Sequence, residues 1–495
     1  MIAGDVAPEI HASPGGPPAS SEPSAVIAPL TGASPARRRS FDRSIVEGPI
    51  LPAVWKIAWP TVLQNAIGGV QGIVDHALVG HYVGYTGNAA IGVSWQIFLV
   101  VIVFISSLFT GMAVLVARFA GANDEERVNR TVYQAFITAL VLSLVVLAPL
   151  GYALSPTLLT LVNATPAVRA EALPFLRLMF TGSIGLLMFF MLGGALRAAG
   201  DARTPLRLGV AMTVLNFCLN VVFISGAGPI PAFGTRGAAM GTVIASLTVS
   251  SVAVWLLCAG RLVVHFPRTM SWRPDLAIIR SLFRFGLPAG IQGVAMNIAG
   301  VMLLRYIGSL PHSAEAQAAY AVGYAELFSL ITWTSVGLMG AAAAVAGQNL
   351  GAGKPDRSAH AVHLTARIGL GVAAIIGALF LLIPEQLLGI FGLKDPVVVG
   401  LGRGLLRYLS VSGLFITVAL TYTGGLQGTG DTRSPLYITL VSQVALPLGV
   451  CFALQRVGTL NASGVWTAIL IGHSTRCFLS VARFQQGKWR QIPIE

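Results

Sequence analysis

The stretch Leu196-Arg-Ala-Ala-Gly-Asp-Ala-Arg-Thr-Pro205 recurs as Leu426-Gln-Gly-Thr-Gly-Asp-Thr-Arg-Ser-Pro435, at an offset of 230 residues. The same offset aligns Phe98 with Phe328, Gly121-Ala122 with Gly351-Ala352, and Arg127 with Arg357. At 228, Pro60 meets Pro288 and Gln64 meets Gln292. The chain is therefore an internal duplication. Around these markers run twelve apolar segments, near 50–80, 89–117, 131–154, 171–196, 204–226, 234–260, 278–308, 315–346, 359–383, 398–425, 434–456 and 462–484. They are long and do not alternate apolar with polar residues, so they read as helices rather than barrel strands. Each copy holds six. Six is even, so both copies enter a membrane from the same side and are related by a pseudo-two-fold axis along the membrane normal. Parallel repeats of this kind commonly enclose a cavity that opens alternately to each side.

Composition agrees. Of 495 residues 55% are hydrophobic and 10% charged, where a soluble domain carries about 25% charged residues. Mean hydropathy is +0.75. A soluble, disordered or collagenous chain is excluded, and the reading is an all-α polytopic membrane protein. Net charge is +13, yet the basic residues stand singly between apolar runs and form no stripe for nucleic acid. Cys218, Cys258, Cys451 and Cys477 fall in or beside apolar segments without metal-ligand spacing, so neither a disulfide framework nor a metal site is expected.

The expected organisation is a disordered tail over 1–45, a first bundle over 46–265, a second over 266–485 and a tail over 486–495. The first tail is rich in Pro, Ala, Ser and Gly, and its basic cluster Arg37, Arg38, Arg39 and Arg43 follows Asp5, Glu9 and Glu22. That order suits neither a secretory signal nor a transit peptide. Of the 32 Lys and Arg residues, 24 fall on the side of both tails, among them Arg261, Arg268, Arg273, Arg280 and Arg284. Such a bias places both termini in the cytoplasm of a multi-pass protein in the cell (inner) membrane.

Of nineteen acids only Asp75 and Glu326 fall clearly inside apolar segments. An ionisable side chain at bilayer depth costs about 2.5–3.5 kcal/mol on insertion scales, so it faces a cavity or a partner. Asp75 is the stronger candidate and Glu326 a possible second acid. Asn216 and Asn220 lie at i and i+4, on one face of the fifth segment. Gly351-Ala-Gly-Lys354 has the wrong glycine spacing for a phosphate loop, and Pro355 stands where Ser or Thr would hold magnesium. His360 and His363 read as solvated. In the Gly200-Asp201 and Gly430-Asp431 loops the acid reads as a helix cap, with Pro205 in the first turn after Asp201.

The paired Leu-x-x-x-Gly-Asp-x-Arg-[Thr/Ser]-Pro loops, the Gly-Ala turns and Val74-Asp75-His-Ala-Leu-Val-Gly80-His81 resemble the multidrug and toxic compound extrusion (MATE) transporters over about residues 45–485. The last motif is most similar to the DinF-type branch. The resemblance implies a secondary antiporter that exports organic, cationic or amphipathic compounds against protons or sodium, with no other cofactor. It implies that Asp75 couples the ion, and that Asn216, Asn220 and Thr242 (in Gly237-Ala-Ala-Met-Gly-Thr242) line its pocket. One carboxylate with three neutral oxygens suits a hard cation, although such amides and hydroxyls also bond helices together. Asn220 departs from the DinF-type pattern, which has Asp there. The acids that the NorM-type branch keeps in its seventh and tenth spans are absent around Met296-Asn297 and Ile416-Thr417.

The expected protein is thus a monomeric transporter of small organic substrates, surrounded by lipid, and not an enzyme. A flippase for lipid-linked precursors or polysaccharides would show extra spans or a strongly basic central cavity. An intramembrane enzyme would need a cluster of nucleophile, base or metal ligands at depth. A scaffold would leave Asp75 unexplained.

Overall fold

The computed structural model describes residues 41–226, 228–267 and 270–493. The expectations for residues 1–40 and for Arg268 lie outside them. The described residues contain no β-strand, and each of the twelve apolar segments is helical. We label them α1 (Ile50–Tyr82), α2 (Tyr85–Gly121), α3 (Glu125–Leu161), α4 (Pro166–Thr181 with Ser183–Ala198), α5 (Arg203–Ser225), α6 (Thr235–Cys258), α7 (Leu276–Gly308), α8 (Ser313–Gly351), α9 (Pro355–Leu382), α10 (Pro396–Gly428), α11 (Arg433–Val457) and α12 (Ala462–Gln485). Together they form a polytopic membrane fold of two six-helix bundles, α1–α6 and α7–α12.

Local chemistry sets the helix ends. Asp275 accepts from the amides of Ala277 and Ile278 at 3.0 and 3.3 Å, and Asp395 from Val397 and Val398 at 2.8 and 3.1 Å. Such caps satisfy the orphan amides of a first turn. The duplicated loops are the same device built twice. Gly200 and Gly430 both take φ +99°, a conformation open to glycine at little cost. Asp201 Oδ1 accepts from the Thr204 amide at 3.0 Å, and Asp431 Oδ1 from the Ser434 amide at 3.1 Å. The second copy adds Arg483, whose Nε donates to Asp431 Oδ2 at 2.9 Å. The capping role expected of these loops holds.

Three features were not foreseen. The fourth segment is broken by a 50° bend between Thr181 and Ser183. Wider π-helical turns interrupt α3 at Leu142–Leu147, α8 at Ala321–Leu327 and α11 at Leu440–Ala445. Where disorder was expected to reach residue 45, the chain packs from Phe41 onward. Ile45 is fully buried against Val54, Ala202, Leu338 and Ala341, because an apolar side chain this close to the bundles finds a dry surface to cover.

The bundles meet along α2 and α7, and along α8 against α1 and α2. Small residues make this possible. A Cβ at Gly286 would lie 2.6 Å from the Ser107 carbonyl oxygen, and Gly111 faces the Leu282 carbonyl as closely. Polar bonds cross the seam beside them. Gln348 Nε2 donates to the Ala198 carbonyl at 2.6 Å, and an Arg118 nitrogen donates to that of Thr429 at 3.2 Å. The two polar bonds sit where α2, α4, α8 and α10 end. At that end, which also carries Ile45 and Ile492, the bundles are in contact.

Candidate functional site

Asp75 lies about two turns before the end of α1 and is half-buried. Its Oδ1 accepts from Asn220 Nδ2 at 2.8 Å. Asn220 on α5 is fully buried, Asn216 one turn earlier is 1% exposed, and Thr242 comes from α6. The structure therefore brings together Asp75 and the three residues singled out around it. Glu326 lies elsewhere, in the π-helical turn of α8 in the other bundle, and does not join them.

The Asn216 carboxamide lies at the centre of the cluster, within hydrogen-bond distance of Asp75, Asn220, Thr242 and Gln71. With its oxygen toward Asp75, it accepts from Gln71 Nε2 at 3.1 Å and from Asn220 Nδ2 at 3.2 Å. Its nitrogen then donates to Thr242 Oγ1 at 3.1 Å, while the Thr242 hydroxyl donates to the Ala238 carbonyl at 3.0 Å. Turned over, the nitrogen donates to Asp75 Oδ1 at 3.3 Å, and the oxygen accepts from the Thr242 amide and hydroxyl at 3.2 and 3.1 Å. Oxygen and nitrogen of a carboxamide have the same shape. The turned orientation gives Asp75 a second donor, but sets the Asn216 nitrogen 3.2 Å from Asn220 Nδ2 and 3.1 Å from Gln71 Nε2.

Two members were missed from sequence. Gln71 lies one turn before Asp75 on α1, and Thr213 Oγ1 donates to Gln71 Oε1 at 2.8 Å. Both are polar residues one turn from residues already named, and that helical spacing was the available signal. Gly241 completes the wall, since a side chain there would collide with the Asn220 carboxamide. Asn220 Oδ1 is buried without a hydrogen-bond partner, so an acceptor of the cluster is left over.

Two residues set apart from phosphate and metal chemistry have structural partners instead. Lys354 Nζ donates to the Val46 carbonyl at 3.1 Å, and His363 Nδ1 lies 2.6 Å from the Tyr422 hydroxyl. His363 is therefore packed between helices rather than simply solvated.

The family model MatE matches residues 60–222 and again 288–452, once in each bundle. The chain belongs to the MatE family, the multidrug and toxic compound extrusion transporters. It is 25% identical over 448 residues to the probable multidrug resistance protein NorM of Thermotoga maritima, covering 89% of this chain and 93% of that protein. It is 25% identical to the multidrug resistance protein MdtK of Pectobacterium atrosepticum, covering 87% and 94%. A solved structure described as the outward-facing conformation of a multidrug resistance MATE family transporter superposes with a TM-score of 0.83. Its sequence is 21% identical, and the match covers 91% of this chain and 98% of that one. This MATE fold is a transporter fold and not that of an enzyme class.

Proposed function

We propose that this MATE protein is a secondary active antiporter that exports small organic molecules in exchange for a proton or a sodium ion. Asp75 binds the ion, and Asn216, Asn220 and Thr242, with Gln71, shape its pocket. The observation that carries this reading is a lone carboxylate within a membrane helix, Asp75, held by Asn220 Nδ2 at 2.8 Å beside the neutral oxygens of Asn216 and Thr242. An ion that binds one state of this cluster more tightly than the other shifts the population of the two states by that difference. The Val74–His81 motif supports a DinF-type site. A cavity of about 390 Å³ between the bundles, touched by Thr61, Gln64, Asn65, Arg197, Met339 and Gln427, supports a substrate path there.

The test is accumulation by everted membrane vesicles of an organic cation such as ethidium and an organic anion such as 1-naphthoate. Proton and sodium gradients are imposed separately. Accumulation of one class should follow one of the two gradients. Movement that needs ATP, or that ignores both gradients, sinks the proposal.

Orientation yields a second expected result. With both termini in the cytoplasm, a reporter active only outside it and fused after Glu495 stays silent. Strong activity means the inverse topology.

Stoichiometry yields a third. Asp75 is the single carboxylate of the cluster, so we expect coupling to no more than one monovalent ion per cycle. Moving one charge is worth about 2.3 kcal/mol per 100 mV, so reversal potentials report the count. A value of two or more requires another acid, with Glu326 the first to mutate.

A further inference from the structure

The second bundle holds a pocket of opposite character. A cavity of about 460 Å³ opens where α7, α8, α11 and α12 meet. These helices are the repeat partners of α1, α2, α5 and α6, so the pocket is the duplicate's counterpart of the Asp75 region. Its polar lining comes from Gln96, Asn297, Tyr320, Tyr324, Gln443 and His473, with no Asp or Glu among the lining residues.

Polar atoms are left over here too, among the described residues. His473 is 3% exposed and its Nδ1 has no partner; Gln443 Nε2 is buried without one. One turn beyond His473, Arg476 is 2% exposed and its Nε is unpartnered. Among the described residues no hydrogen bond or ion pair engages its guanidinium. That group lies within electrostatic reach of both Tyr324 and His473. A guanidinium at membrane depth without a counter-charge is costly. Arg476 is not itself among the residues lining the cavity, so it favours an anion there through its field, from one turn behind His473.

One wall is a stack of aromatic rings, whose faces and edges suit an aromatic ligand. Tyr320 stacks on Tyr324 at 4.9 Å between centroids and 9° between planes, and on Trp466 at 6.1 Å and 7°. Tyr324 in turn stacks on His473 at 6.5 Å and 14°. Tyr324 and Gln443 are both carried by π-helical turns, Ala321–Leu327 and Leu440–Ala445, for which α2 and α5 have no counterpart. Such turns recur at functional sites because they redirect side chains.

We infer that this pocket is a substrate subsite for a planar aromatic molecule carrying a carboxylate. His473, Gln443 and the tyrosine hydroxyls donate to it, and Arg476 supplies the counter-charge. The inference rests on the exporter reading and narrows its substrate class, from the cations implied by family resemblance to aromatic monoanions.

The test is calorimetric binding to the purified full-length protein, without any gradient, of 1-naphthoate and its cationic counterpart 1-naphthylmethylamine. Naphthoate should bind at least about tenfold more tightly than the amine. Arg476→Gln, which keeps hydrogen bonding and removes the charge, should erase that preference. Gln443→Leu alters the wall without touching the buried charge and should weaken naphthoate alone, which keeps the test decisive should Arg476→Gln fail to fold. Ion coupling is scored separately, by gradient-driven accumulation in vesicles, so a failure of ion coupling and a failure of this subsite are told apart. Equal affinity for the two probes, or naphthoate binding indifferent to Arg476→Gln in a folded protein, overturns the inference.

Discussion

Asp75→Asn protein should insert, fold and bind substrate like the parent, and yet fail to drive substrate against its gradient. The substitution keeps the size of the side chain and lets an amide nitrogen or oxygen face Asn220 and Asn216, so the interhelical network of α1, α5 and α6 survives. Removing a charge from the membrane also lowers the insertion cost. What disappears is the one group of the cluster that can carry a charge and exchange it for a bound ion. A ligand shifts a two-state equilibrium only by its differential affinity for the two states, and without the carboxylate the ion has none at this site. Vesicles bearing the variant should show at least about a hundredfold loss of gradient-driven accumulation, equivalent to removing about 2.7 kcal/mol of coupling. Static substrate binding should change little. Near-normal export by a well-expressed Asp75→Asn protein would leave the residue a structural partner of Asn220.

Most of the fold was legible because the duplicated loops impose the same covalent demands twice. Each needs a glycine at positive φ, an acid to cap the next helix and a proline in its first turn, and few residue types meet those demands. The Asp75 cluster was legible for a different reason. A lone acid in a long apolar run is expensive, so its position was informative before any contact was known. Gln71 and Thr213 were not, because neutral polar residues in membrane helices are common enough to carry little signal. Arg476 was counted among the basic residues flanking the membrane on the side of the termini. It nevertheless falls inside the twelfth apolar segment, 462–484, and a count of charges by side does not weigh depth; in α12, which ends at Gln485, it is 2% exposed. The bend in α4 was missed because a single glycine within a long apolar segment is tolerated in a continuous helix.

The seam between the bundles yields the other large expected effect. Gly111→Leu should abolish transport by preventing closure at the end where the termini emerge. At this position α2 passes so close to α7 that a Cβ would press on the Leu282 carbonyl, with the Gly286 amide nitrogen only 2.9 Å away. Both are backbone atoms of a helix, which cannot swing aside as a long side chain can. Relief must come from moving one whole bundle against the other. The clash lies between bundles rather than inside either one, so each six-helix unit should still fold. An alternating transporter needs both end states, and a change that forbids one of them stops the cycle even with the ion site intact. Ala117 gives the readout, since it is 1% exposed and packs across the seam against Gly347. In a background lacking the four native cysteines, Ala117→Cys should resist a membrane-impermeant maleimide added from the side of the termini. With Gly111→Leu added, the same cysteine should react, while 1-naphthoate remains bound with parental affinity in the second bundle. Continued protection of Ala117→Cys together with normal export would mean that the close approach at Gly111 is not part of the moving seam.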